Sequence, residues 1–180
     1  ALMQREECVM RPGVRDETEK QEVRDLLAAC DNDFVPPLSA RSSTTQQSWE
    51  GAAGGDGVAA YAKTLLEQSV ALWKQDGRTV GLLSFRPEYV CEALPGRPTV
   101  CYLSTLCVSP ACRGQGLARR IYEAVIAWAH EQMPGRPIAL RTWSTNAAQL
   151  RLMEKLGFTC VLRLPDDRGP GVDTVYYRLP

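Results

Sequence analysis

The stretch that most constrains this chain runs from Thr99 to Trp128, where a strand-like pattern changes directly into a helical one. Thr99–Val108 reads as a well-buried strand, and Pro110 blocks its continuation because proline has no N–H for a ladder bond. Leu117, Ile121, Val125 and Trp128 then recur every three or four residues, the spacing of one helix face, until Pro134 and Gly135 stop the helix. The two elements are joined through Arg113-Gly114-Gln115-Gly116. A strand, a tight glycine turn and a helix start bring several unpaired backbone N–H groups to one place, beside the positive end of the helix dipole. Gly114 and Gly116 let the main chain approach a ligand closely, and the small Ala118 leaves room against the first helical turn. A diphosphate fits such a cradle. The segment is not a Walker loop, because no Gly-Lys-Ser/Thr follows, nor a dinucleotide fingerprint, because the third glycine is missing.

The rest of the chain supplies the frame. Cys8–Met10 reads as a short strand. Thr18 with Gln21 reads as a capping box opening a helix that buries Val23, Leu26, Leu27 and Cys30. Residues 31–56 have the marks of a long connection, with Pro36-Pro37, a Ser/Thr/Gln tract and several glycines. Val58, Ala62, Leu65 and Leu66 define a second helix. Ser69–Lys74 and Arg78–Phe85 form a hairpin about Asp76-Gly77. After the long third helix come a strand over Ile138–Trp143, a helix over Asn146–Leu156 ended by Gly157, and strands over Phe158–Leu164 and Val172–Leu179. The expected fold is α/β with a mixed sheet, in the order β-α-α-β-β-β-α-β-α-β-β and with helices on both faces.

Composition narrows the class. At 180 residues and 44% apolar, the chain fits one globular domain over 1–180. Its 21 Lys and Arg balance 21 Asp and Glu, so no whole-molecule field draws it to nucleic acid or to an anionic membrane. The longest apolar run, residues 124–129, is far short of a membrane span, and no basic-then-apolar signal pattern is visible. Seven cysteines with no CxxC pair and a single histidine argue against a disulfide framework or a metal site and for reduced thiols in a cytoplasmic protein.

Arg113 to Ala118 resembles the Q/R-x-x-G-x-G/A hallmark of the GNAT acyltransferase superfamily. Residues 146–158, in which an Asn opens a helix and Leu-Gly-Phe closes it into a strand, are similar to a later helix of that superfamily. The element order agrees along nearly the whole chain. The resemblance implies a seven-stranded, mostly antiparallel sheet that splays between its fourth and fifth strands, with acetyl-CoA lying in the splay. It further implies that Leu106, Cys107 and Val108 pair their backbone with the pantetheine arm, and that Arg113, Gly114, Gln115, Gly116, Leu117, Ala118 and Arg119 hold the diphosphate through main-chain N–H groups. The N–H of Leu106 would stabilise the oxyanion, and Asn146 would hydrogen-bond the pantetheine. A deprotonated primary amine, on a small molecule or a protein, would attack the thioester directly. The implied partners are therefore an acyl-CoA and an amine, with the oligomeric state open and a homodimer among its alternatives.

Two departures from the family pattern matter. The usual acid, a Tyr four residues before the Gly of Leu-Gly-Phe, is here Met153, and a thioether cannot donate a proton. Residues 102–105, on the strand where the family often places a Glu base, contain no carboxylate. The base stays open among Asp31, Asp33, Glu88 and Tyr102, reached through water. These gaps leave a second reading, a CoA-binding module without catalysis. Cys107 reads as a small buried hydrophobe before it reads as a nucleophile, and His130 as a solvated residue at a helix end. Phe34 and Trp49 on the long connection are candidates to shape the acceptor pocket, because that connection overhangs the site in the resembled fold.

Overall fold

The computed structural model describes residues 4–41 and 57–180. Its elements are β1 (Glu6–Arg11), α1 (Glu17–Cys30), α2 (Val58–Leu66), β2 (Ser69–Gln75), β3 (Arg78–Val90), β4 (Thr99–Val108), α3 (Leu117–Gln132), β5 (Ile138–Trp143), α4 (Ala147–Lys155), β6 (Thr159–Leu164) and β7 (Thr174–Leu179). Short 3-10 turns lie at Asp31–Asp33, Leu38–Ala40 and Pro110–Cys112. Hydrogen-bonded neighbours follow the order β1-β2-β3-β4-β5-β7-β6, a seven-stranded sheet. The chain divides into two compact units, Ala1–Phe85 with Thr105–Val125, and Arg86–Ser104 with Ile126–Pro180, and β3, β4 and α3 run through both.

In the first unit β1 and β2 pair antiparallel, and β2 turns into β3 through Asp76 and Gly77, at φ of 51° and 81°. Two consecutive positive φ values are those of the hairpin turn the Asp-Gly pair predicts. Alternation along β2 sends Val70 and Leu72 to one face, where they pack with Val23, Leu27, Tyr61, Leu65, Leu82 and Cys107. On the opposite face Trp73 and Gly81 meet α3. A Cβ on Gly81 would lie 2.8 Å from Ile121 Cδ1, so the missing side chain admits the helix. The cap of α1 is Asp16, not Thr18: its carboxylate accepts the N–H of Glu19 at 2.9 Å. Asp16 with Glu19 has the spacing of a capping box, which leaves Thr18 inside the first turn. Glu19 also carries the one carboxylate buried in α1, paired with Lys74 at 2.6 Å and Arg11 at 3.1 Å.

In the second unit β4 and β5 pair parallel over Cys101–Leu103 and Ile138–Leu140. There the ladder stops, although β4 continues to Val108 and β5 to Trp143. β5 pairs β7, and β7 pairs β6, both antiparallel. Cys91, Val100, Tyr102, Ala139 and Tyr176 form the core with Tyr89 and Leu162 against them. β3 reaches Val90, five residues beyond the hairpin segment read from sequence. Its pairing with β2 ends at Phe85, so Pro87 removes no bond from that ladder. β7 starts at Thr174 because residues 169–172 form a turn, with Val172 N–H on Gly169 O at 3.0 Å. β6 starts one residue late because the Phe158 N–H bonds Met153 O at 2.9 Å, closing α4 after Gly157.

Candidate functional site

The C-terminal half of β4 alternates: Thr105 and Cys107 are buried, whereas Ser104, Leu106 and Val108 are half-buried. Tyr61 holds the buried side through a 2.5 Å hydrogen bond between its hydroxyl and that of Thr105. Ser109 N–H bonds Val80 O at 2.8 Å, and the chain then enters the 3-10 turn started by Pro110. Gly114 and Gly116 follow at φ of 80° and 72°, a region where an L side chain is strained. A Cβ at either position would meet no atom within 4 Å, so both glycines border open space.

The carbonyl of Gly116 accepts the N–H of Arg120 at 3.2 Å, the first bond of α3. Gly116 therefore occupies the cap position but carries no side-chain oxygen to cover the first turn. The N–H groups of Leu117, Ala118 and Arg119 lie ahead of the first intrahelical bond, where they have no acceptor within the helix. Such a start is suited to an anion supplied from outside the helix.

The side chains of this turn face their own unit. Arg113 Nη2 lies 2.5 Å from Asp33 Oδ2 and 3.7 Å from Cys30 Sγ. Arg119 pairs with Glu123 at 3.1 Å, and Arg120 with Glu6 at 2.9 Å while lying 4.6 Å over the Trp73 ring. The guanidinium groups of Arg113, Arg119 and Arg120 are thus spent on internal partners.

Cys30, which sequence reading placed only on the buried stripe of α1, belongs to this corner. Its neutral thiol donates to Val108 O at 3.5 Å. Hydrogen bonding from the Cys107 thiol and the nearby Arg113 charge favour its thiolate and bring its pKa down to about 7, against the opposing effect of burial. Cys107 is correspondingly pushed well up by Cys30 and by burial, and it keeps its proton. No local signal marks Cys30 or Asp33 as neighbours of the turn, since 83 and 80 residues separate them from Arg113.

The candidate bases divide between the two units. Asp31 accepts the N–H of Ser39 at 2.7 Å and ties two 3-10 turns together. Glu88 is exposed on β3 in the second unit. Tyr102, also in the second unit, is 1% exposed against Tyr89, and burial raises its phenol further above its ordinary value. Asn146 caps α4 through its carbonyl, which accepts the Leu150 N–H at 3.0 Å; its side chain makes no cap bond, and its Nδ2 lies 3.4 Å from Thr142 Oγ1. Met153 is fully buried, and His130 is exposed in the last turn of α3. Phe34 packs on the first unit's core with Arg41 5.3 Å over its ring, while Trp49 lies outside the described residues. Among the described residues, no cluster of His, Cys, Asp and Glu is arranged to hold a metal, and no helix is long and apolar enough to cross a membrane.

Comparison with known proteins follows the same outline. The acetyltransferase (GNAT) family matches residues 22–158, a span that runs through both units. A protein of Desulfovibrio desulfuricans assigned to the GNAT acetyltransferases superposes with a TM-score of 0.67 at 18% identity, covering 96% of this chain and 98% of its own. The Salmonella typhimurium acetyltransferase yncA, solved with its cofactor acetyl-CoA, gives 0.61 at 21% identity, over 96% and 93% of the two chains. NAA60 of Arabidopsis thaliana, in complex with a bisubstrate analogue, gives 0.61 at 17% identity, over 96% and 97%. No curated protein matches by sequence.

Proposed function

Because this chain belongs to the acetyltransferase (GNAT) family, we propose that it moves an acetyl group from acetyl-CoA to a primary amine on a small molecule or a protein. The observation that carries this reading is the glycine-capped start of α3. Gly114 and Gly116 border open space at positive φ, and the adjoining helix amides have no internal acceptor. These residues fit a diphosphate.

In this reading Arg113 to Arg119 bind the diphosphate through backbone N–H groups, and Leu106 to Val108 pair with the pantetheine arm. Asn146 is assigned a hydrogen bond to pantetheine by family resemblance. Acetyl-CoA supplies an activated thioester. The chain's part is to orient that ester and to stabilise charge on its carbonyl oxygen, a role assigned to the N–H of Leu106. The attacking nitrogen forms the new C–N bond, the C–S bond breaks, and the electron pair leaves on the CoA sulfur. A thiol ionises near pH 8.5, so its thiolate departs without a side-chain acid. The amine proton leaves through water.

One observation favours a second reading, a module that binds CoA without turning it over. Met153 is fully buried where the family's acid would stand. Calorimetry with CoA, followed by free-thiol release from acetyl-CoA across a panel of primary amines, separates the two. Binding with thiol release supports the transferase. Binding with no release across the panel supports the module, and absence of CoA binding overturns both.

A further inference from the structure

Gln75 ends β2, forty residues before the glycine turn, and is 6% exposed. Its primary amide is used on every side. Oε1 accepts from Gln4 Nε2 at 3.2 Å and from the Cys112 thiol at 3.6 Å. Nε2 lies 3.3 Å from Glu6 Oε1 and 3.3 Å from Gln115 Oε1, donating to both. Two donors and two acceptor lone pairs are the whole capacity of a primary amide. Cys112 and Gln115 flank Arg113 and Gly114, so a single side chain grips the turn at both of its ends. The remaining two bonds run to Glu6, the first residue of β1, and to Gln4 just before that strand, which is paired to β2 along its length.

A turn built on two glycines has many backbone states, and a ligand that binds it must fix one of them. An anchor that fixes the turn beforehand lowers that ordering cost. We propose that Gln75 is a positioning residue for acetyl-CoA binding: it clamps Cys112 and Gln115 so that the amides of the turn are already aimed when the diphosphate arrives. The inference rests on the function proposed above. It adds to it a residue outside the glycine motif, on an element no motif reading would inspect. Gln115 then acts in two ways, its backbone facing ligand and its side chain held by the clamp.

Two measurements test this. In the free protein, hydrogen exchange of the Cys112 amide, which bonds Ser109 O at 2.8 Å, should be about tenfold faster in Gln75→Ala than in wild type, because the clamped form no longer dominates. By calorimetry, Gln75→Ala should weaken CoA binding about fivefold, while kcat at saturating acetyl-CoA and the KM for amine stay near wild type. Gln4→Ala, which cuts a bond of the same amide that does not lead to the turn, should leave CoA affinity unchanged. The double variant Gln75→Ala/Gln115→Ala should bind CoA no more weakly than Gln75→Ala, since both remove one link. If Gln75→Ala does not fold, Gln115→Ala at the exposed end of the bond carries both readouts. Unchanged exchange at the Cys112 amide, unchanged CoA affinity, or equal weakening by Gln4→Ala would overturn the clamp. If wild type binds no CoA, the proposed function fails, and the exchange measurement still judges whether Gln75 orders the turn.

Discussion

The guanidinium of Arg113 lies 2.5 Å from the Asp33 carboxylate and 3.7 Å from the Cys30 sulfur, so the first residue of the glycine motif points its charge back at the end of α1. The Arg113 and Asp33 side chains are about half exposed, and a pair so hydrated adds little to stability. Its influence falls on Cys30, whose thiolate it favours. Cys107 favours that thiolate more strongly, by donating its own S–H.

The titration of Cys30 follows from that geometry. The wild-type thiol should ionise near 7, read as thiolate absorbance in the difference between wild type and Cys30→Ser. Arg113→Met removes a positive neighbour and Cys107→Ala removes the main donor, so each should raise the Cys30 pKa, Cys107→Ala by more. A Cys30 that titrates no lower than an ordinary thiol in wild type would contradict the arrangement.

Glu19 predicts a pH dependence of stability. The hydrogen bond from Arg11, with Lys74 also bonded, holds its carboxyl below the usual carboxylate range despite burial. A carboxyl depressed on folding contributes stability above its unfolded pKa, and that contribution disappears as pH falls through the folded value. Glu19→Gln should therefore cost about 2 kcal/mol at pH 7, much of it from leaving the nearly buried Lys74 unpaired. The gap between wild type and variant, measured by urea unfolding, should shrink as pH drops below about 4. A gap that is constant with pH would show that packing, not charge, is lost.

The difference between Thr18 and Asp16 shows what a sequence reading can resolve. Both residues are good caps, they lie two positions apart, and each is followed three residues on by Glu19 or Gln21, so the local pattern does not choose between them. The strand, turn and helix at 99–132 were legible because each step has its own local signal: alternation, proline, glycine, then a 3.6-residue period. Gln75 and Cys30 were not. Gln75 looks like the polar end of a strand and Cys30 like one more apolar stripe position. Their roles come from partners 40 and 83 residues away, a distance no local period encodes. The extension of β3 beyond Phe85 was hidden for a related reason, because Pro87 reads as a stop unless one knows that β2 no longer pairs there.

Gly116 separates backbone strain from ligand access. At φ of 72°, valine would force a β-branched residue into the left-handed region, and its side chain would project into the open space beside the turn. Gly116→Val should weaken CoA binding at least tenfold, or about 1.4 kcal/mol. Asn tolerates that φ better, so Gly116→Asn should keep more of the helix start while still placing atoms in the same space. If both variants bind CoA as wild type does, close approach of ligand to Gly116 is excluded.

Met153 carries the last prediction. Its side chain is fully buried on α4, and α4 is closed by the bond from the Phe158 N–H to Met153 O. Restoring the family's phenol by Met153→Tyr would overfill that position, at a cost of about 1–3 kcal/mol by denaturant unfolding, whereas Met153→Leu conserves volume and should cost less than about 1.5 kcal/mol. In the proposed mechanism the CoA sulfur departs as thiolate, so a new phenol has nothing to accelerate, and kcat for thiol release should not rise in folded Met153→Tyr. A gain of about tenfold would instead mean that donation to the leaving group limits the reaction and that the thioether is the reason it is slow.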